Sequence, residues 1–370
     1  MDLIVVGDVV VSGWTRRPAG DPPMPGDSAF GLLRGGDLTI GNLEVPFTGR
    51  GQRAEKLVAM RAPLSGAEEL AALGFDLVSL AMNHALDFGA DGMRDTVEAL
   101  DAAGVLHAGF GESITEATRA RVVPVGGDTL AFFSFCSALP SGFDATADRP
   151  GIAPIRVRQS FEYDSGFLAE TPGTPPFVHS SAYEPDVRLA EELIREARRA
   201  NDHVAVALHW GVPHCYLPAA QGPLARYQQP LARRLVDAGA DLVIGHHPHC
   251  LHPVEFYGNG LILYSTGNFV FDWCDGWNAE SMVPRAGAYA PYAPALVQGP
   301  WFESAVFRVR LGGADGPELR LDPIELDSDS QPIMPRPEAA ASILAQVAAM
   351  SKALDPSIVV DDDGTVRRHR

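Results

Sequence analysis

The stretch "GADLVIGHHPHCLHPVEFYGNGLILYSTGNFVFD", residues 239–272, sets the apolar run Leu242-Val243-Ile244 and Gly245 directly before a crowd of imidazoles. His246, His247, His249 and His252 fall within seven positions. A short apolar run closed by a turn reads as a buried strand. Imidazoles at the end of such a strand lose hydration, and recover it through charge, hydrogen bonds or a metal ion. Gly245 is expected to let the chain bend, and Pro248 to hold His247 and His249 apart on an extended segment.

The same arrangement recurs outward along the chain. The strand "LIVVGDVVV" carries Gly7-Asp8, and "DLTIGNLEV" (37–45) carries Asn42 and Glu44. A strand at 76–81 is followed by Asn83, His84 and Asp87, and "HVAVALHWG" (203–211) delivers His209. "VVPVGGDTLAFFSFCS" (122–137) reads as two strands across a Gly-Gly-Asp turn, and "LILYSTGNFVF" and "ESAVFRVRL" as two more. Helical patterns fall at 67–73, in "GADGMRDTVEALDAAGV" up to Gly104, at 186–201 and in "PLARRLVDAGA". Strands alternating with helices predict an α/β fold with covered sheets, and the hairpins make those sheets mixed. In open α/β sheets ligands bind beyond the carboxyl ends of the strands. Separated segments thus bring Asp, Glu, Asn and His to one edge. That donor set suits Zn, Mn or Fe, and a carboxylate can bridge two such ions.

Composition narrows the function classes. The chain has 370 residues, 46 % apolar and 21 % charged, as in ordinary globular proteins. A net charge of −18 opposes nucleic-acid binding, although metal ions in one cleft would still draw in an anionic substrate. Four cysteines without a CxxC pair predict no disulfide framework. The opening "MDLIVVGDVVVSG" reads as a core strand rather than a leader, and no run approaches a membrane span, so a cytoplasmic location is expected. Residues 1–330 read as one domain with irregular insertions at 141–185 and 273–301, and 331–370 as a C-terminal helix and a frayed tail. The second insertion holds Trp273, Trp277, Tyr289, Tyr292 and Trp301, and suits an apolar lid in which Arg285 meets a substrate anion.

The segments "GDVVVSG" (7–13), "GNLEVPFTG" (41–49), "MNHALDFGADGMRDTVEALDAAGVLHAGFG" (82–111), "VALHWG" (206–211) and 231–272 together resemble the CapA-type poly-gamma-glutamate capsule-synthesis proteins. The resemblance runs from residue 4 to about 325, and is weak over 141–185. It implies a metallophosphatase-like, calcineurin-like phosphoesterase fold: a four-layer α/β/β/α sandwich with two divalent metal ions. Carried over, Asp8, Asn42, Glu44, Asn83, His209, His247 and His249 would hold the metals, with Glu44 bridging. His84 would be the general acid, and Asp87 a partner that orients a ligand imidazole. His246, His214 and Asn268, with Arg285, are expected near a small-molecule or peptide-like anionic substrate. The family's His-Trp-Gly-x-Glu departs here to Pro213 followed by His214, and its Asn-Asn-His to Met82-Asn83-His84. A metal-dependent hydrolase, most simply a phosphoesterase, is the leading expectation. Chemistry on a glutamyl amide bond and a non-catalytic metal-stabilised binding protein stand as alternatives.

Overall fold

A computed structural model of the protein describes residues 1–11, 28–56, 58–211, 224–272, 299–314 and 316–369. Four parallel strands run in order: β1 (Asp2–Val10), β2 (Leu38–Leu43), β3 (Leu77–Ser79) and β4 (Leu106–Ala108). The helices Gly66–Leu73 and Gly89–Ala103 connect them. The chain continues through β5 (Arg121–Val125), β6 (Asp128–Cys136), β7 (His203–His209), β8 (Leu242–His246), β9 (Val254–Tyr257) and β10 (Gly260–Leu263). These make a second sheet, ordered β9-β10-β8-β7-β6-β5, parallel inside and antiparallel at both edges. Last come β11 (Asn268–Phe271), β12 (Glu303–Arg310) and β13 (Glu318–Leu326), which extend the first sheet.

Side-chain alternation assigns each sheet two apolar faces. Leu3 and Val5 of β1 share a buried cluster with Leu130 and Phe132 of β6, Ala205 of β7 and Ile244 of β8. Their neighbours Ile4 and Val6 cluster instead with Leu70, Met93 and Leu100 of the first two helices. On the second sheet Phe133, Val204 and Val243 cluster with Ile194 of Glu184–Ala200 and Leu235 of Gln228–Ala238. The molecule is a mixed α/β structure whose two main sheets meet across one core and carry helices on their other faces.

The first strand forks. Over Asp2–Val5 it pairs antiparallel with β12, and over Asp8–Val10 parallel with β11. Its register with β2 shifts between Val5 and Asp8. Gly7 lies at the fork because nothing larger fits: a Cβ there would stand 2.0 Å from the Gly267 carbonyl oxygen.

Two sequence expectations give way. Residues 141–185 are not irregular throughout; Val157–Glu162 and Phe177–Ala182 pair as an antiparallel hairpin, with the short helix Ser165–Glu170 between them. The C-terminal tail does not fray. After the helix Pro337–Leu354, the strands Ile358–Val360 and Thr365–Arg368 pair with each other, and the second adds to β13. Ile358 and Val366 are buried in the intersheet core. No helix of the described residues is long and apolar enough to cross a membrane.

Candidate metal centre

The carboxyl ends of β1, β2, β7 and β8 converge on a buried polar cluster. Asp8, Asn42, Glu44, His209 and His246 are fully buried, and His247 and His249 nearly so. Backbone pairing holds the first of these: Asp8 lies opposite Asn42 on one side and Asn268 on the other, and Glu44 N–H donates to the Val9 carbonyl at 2.9 Å. His209, the last residue of β7, lies opposite His246, the last of β8.

Two triplets have ligand atoms within 4.8 Å of one another: Glu44, His209 and His247; and Asp8, Glu44 and His249. Glu44 belongs to both, which is what a carboxylate between two ions requires. Neither Glu44 oxygen has a hydrogen-bond partner among the described residues, and the Asn42 Oδ1 atom has none either. An unpaired buried carboxylate is costly, so these oxygens fit a cation. The imidazoles are aimed as ligands. His249 Nδ1 donates to Asn268 Oδ1 at 2.9 Å and lies 3.2 Å from Asp8, leaving Nε2 3.6 Å from Glu44. His209 Nε2 lies 3.0 Å from Asn83 Oδ1 and 3.7 Å from Glu44, which sets Asn83 beside the cluster.

The electrostatics agree. Burial, and then the Asp8 carboxylate, push the Glu44 carboxyl well above the usual range. Burial also pushes Asp8 upward, but the His249 contact, His246 and Asn42 outweigh it and leave Asp8 below its ordinary value. Burial drives His209 far down and His246 down to about 4, so both favour the neutral form that binds metals.

His84 stands beside this cluster. Its Nδ1 is 2.6 Å from Asp87 Oδ2, an oxygen that also accepts from Met60 N–H at 2.7 Å. Asp87 thus pairs with His84, the proposed acid, rather than with an imidazole of the ligand set. Burial first, then the Lys56 ammonium, hold His84 below its ordinary value. Lys56 has no part in the sequence reading. It sits at 2.7 Å from Asp87 Oδ1, and nothing in "GQRAEKLVAM" marks it, because its partners lie 27 to 31 residues further along.

Other expectations change. His246 and Asn268, expected near a substrate, make contacts within the protein. His246 Nδ1 meets Thr266 Oγ1 at 3.1 Å, and Asn268 sits behind His249 with its amide on the Trp301 carbonyl. The segment between His247 and His249 is not extended: both residues have left-handed backbones, φ 95° and 55°. Such conformations in non-glycine residues are held by their surroundings and gather at functional sites. Gly245 does not bend the chain; it lies within β8, where a Cβ would stand 2.1 Å from the Tyr264 oxygen. His214, Pro213, Arg285 and the aromatic insertion up to residue 298 lie outside the described residues. Trp301, at its end, is buried with its ring 4.6 Å from that of His249. A groove of about 1570 Å³ opens at the opposite end of the strands, lined by Asp2, His203 and Asp241, away from this chemistry.

A family model described as "Bacterial capsule synthesis protein PGA_cap" matches residues 2–273. The chain is 29 % identical to the uncharacterized protein y4sH of Sinorhizobium fredii, over 97 % of this chain and 91 % of that protein. It is also 29 % identical to the PGA biosynthesis protein CapA of Bacillus subtilis, over 74 % of this chain and 63 % of that one. A probable polyglutamine synthesis accessory protein of Mycobacterium tuberculosis is 32 % identical, over 64 % of this chain and 56 % of its own length. Among solved structures, a hypothetical protein from Thermus thermophilus aligns with a TM-score of 0.44 at 17 % identity, over 87 % of this chain and 98 % of that one.

Proposed function

The chain belongs to the bacterial capsule synthesis protein PGA_cap family, and from that premise we propose that it is a metal-dependent hydrolase with a four-layer α/β/β/α metallophosphoesterase-like sandwich and a dinuclear centre. One observation carries the reading: Glu44, buried and without a hydrogen-bond partner among the described residues, is common to two ligand triplets. The layers are supported by three apolar clusters, one between the sheets and one under each helix pair.

Asp8, Glu44 and His249 would hold one ion, and Glu44, His209 and His247 the other, with Asn83 beside His209. Bound divalent ions such as Mn, Zn or Fe supply Lewis-acid polarisation of a substrate oxygen and acidify water. Asn42 orients Asp8 by donating to its Oδ1 at 2.9 Å, and Asn268 turns His249 Nε2 toward Glu44. Asp87 fixes the proton of His84 on Nδ1, so that Nε2 is the atom that exchanges a proton with the leaving group. The nearly complete burial of the ligands keeps bulk water from competing. The simplest substrate is a phosphoester or a related small anion. The names of the Bacillus subtilis and Mycobacterium tuberculosis relatives favour a second reading on the same centre, the forming, transfer or cleavage of a glutamyl amide.

Elemental analysis of protein purified without chelator tests the centre. One to two transition-metal ions per chain are expected, and fewer than about half an ion after reconstitution with Mn, Zn and Fe(II) would end the reading. Turnover of an activated phosphoester with added Mn supports the first substrate class. Turnover of gamma-glutamyl peptides without phosphate release supports the second, and metal binding with neither points to a binding protein.

A further inference from the structure

Of the 29 basic residues in the chain, two are lysine, Lys56 and Lys352. Arginine fills the other cationic positions, so a lysine in a confined setting indicates that a compact ammonium is needed there. Lys352 lies exposed on the C-terminal helix. Lys56 is 19 % exposed in its side chain and faces the turn that carries Asn83, His84 and Asp87. Its Nζ donates to the Asn83 main-chain oxygen at 2.6 Å and to Asp87 Oδ1 at 2.7 Å, and lies 3.3 Å from His84 Nδ1. The Phe143 ring stands 5.5 Å away on another side. Ala54 N–H and Met60 N–H, on either side of Lys56 in sequence, both donate to Asp87, at 2.8 and 2.7 Å.

The Asp87 carboxylate is thus shared. Oδ2 accepts from His84 and Met60, and Oδ1 from Lys56. A 2.6 Å contact between Oδ2 and Nδ1 requires the proton on Nδ1. The ammonium beside it is then a neighbour rather than a donor, and its firm bonds run to Asp87 and to the Asn83 backbone. Asn83 is the residue whose Oδ1 meets His209 Nε2.

We propose that Lys56 is a positioning residue of this centre: with one ammonium it fixes the Asn83 backbone on the metal side and the Asp87–His84 pair on the substrate side. The proposal rests on the metal-dependent reading. A guanidinium would spread the same charge over a wider planar fork and needs more room than the compact ammonium that fits between Asn83, His84 and Asp87. Groups that orient ligands from behind are worth roughly 10–100-fold in metal affinity or activity.

The test uses K56M, K56R and K56A in the full chain. Calorimetric titration with Mn reads metal binding, and turnover is read separately. Wild type must first bind metal; if it does not, the parent reading fails and Lys56 is not at issue. Given that, K56M should stay folded by circular dichroism and still bind an ion, but at least one binding step should weaken about 10–100-fold. K56R should not restore it. In K56A, ethylammonium should restore metal affinity and turnover saturably, which a packing role would not produce. Unchanged affinity and turnover in folded K56M would overturn the proposal. So would failure of both K56M and K56A to fold, which would assign Lys56 to the scaffold.

Discussion

At the residue scale, Glu44 explains most about the site. Its carboxyl titrates higher in the fold than in the unfolded chain, because burial and Asp8 oppose ionisation. A raised folded value lends stability below the ordinary carboxylate range and loses it as the pH rises through the folded value. Glutamine at this position never ionises. Metal-free E44Q is therefore expected to melt above metal-free wild type at pH 8, with a smaller gap at pH 5. The metal response should reverse that order. Wild type gains about 2.7 kcal/mol when free metal is 100 times its Kd, and E44Q should gain little. Calorimetric melts with and without Mn check both halves, and an E44Q that melts lower without metal would contradict the reading of Glu44. His84 makes a complementary case. H84A should lower turnover by roughly 10²–10⁴-fold while retaining metal, whereas H249A should lose metal as well. Equal metal loss in the two variants would make His84 a ligand. Residue types at strand ends pointed to Asp8, Glu44, Asn83, His209 and the histidines after β8, which the fold brings together, while the choice of His247 over His246 came from the family resemblance. Lys56 was not legible in the sequence, because a side chain that reaches its partners through a long loop leaves no spacing to read.

At the scale of elements, apolar runs and turn residues located β1 to β3, β5 to β8 and β12, but passed over β4, β9 and β13 and read β10 and β11, which lie in different sheets, as one strand. The hairpin across Gly126-Gly127 and the helix ending at Gly104 fell where the pattern put them. Two other misses have a physical cause. The hairpin of residues 157–182 exposes Phe161 and Phe177 and lacks the inward alternation that marks a half-buried strand. The two C-terminal strands are short and flanked by aspartates; they pair with each other, and the second joins them to β13. Gly245 was read as a bend where close approach was the cause, and Gly7 is constrained in the same way. Gly7→Ala would set its methyl against two backbone oxygens, those of Gly267 at 2.0 Å and Thr266 at 2.7 Å. Neither can rotate away. The variant should lose roughly 1–3 kcal/mol or more from overpacking, and should also weaken metal binding, because Asp8 is the next residue. Gly49→Ala is the control, since nothing lies within 4 Å of its added carbon. Denaturant melts and metal titration of the pair would read both effects; equal stability of the two would refute this account of the fork.

At the scale of the whole molecule, the candidate site draws on both sheets: Asp8 and Glu44 come from the first, His209 ends a strand of the second, and His247 and His249 follow another. The alternation of elements made a layered α/β fold legible. The order of strands was not, because pairing between distant segments depends on which edges remain free after the others have closed. The forked first strand shows how this matters for a modular boundary. The family match stops at residue 273, yet Asp2–Val5 take their ladder partners from Val309, Phe307 and their neighbours. A chain cut at the end of the match would keep every metal ligand named above and still be incomplete. It would bare a hydrogen-bonding edge whose side chains, Leu3, Ile4 and Val5, are almost wholly enclosed in the intact protein. Such an edge is a template for another copy. Residues 1–273 alone should therefore associate into large oligomers on light scattering, while the full chain under the same conditions should not; a monodisperse, metal-binding fragment would show that the last quarter of the chain is dispensable. The recurring unit recognised by sequence comparison and the unit that can exist by itself in water are, in this protein, different lengths of chain.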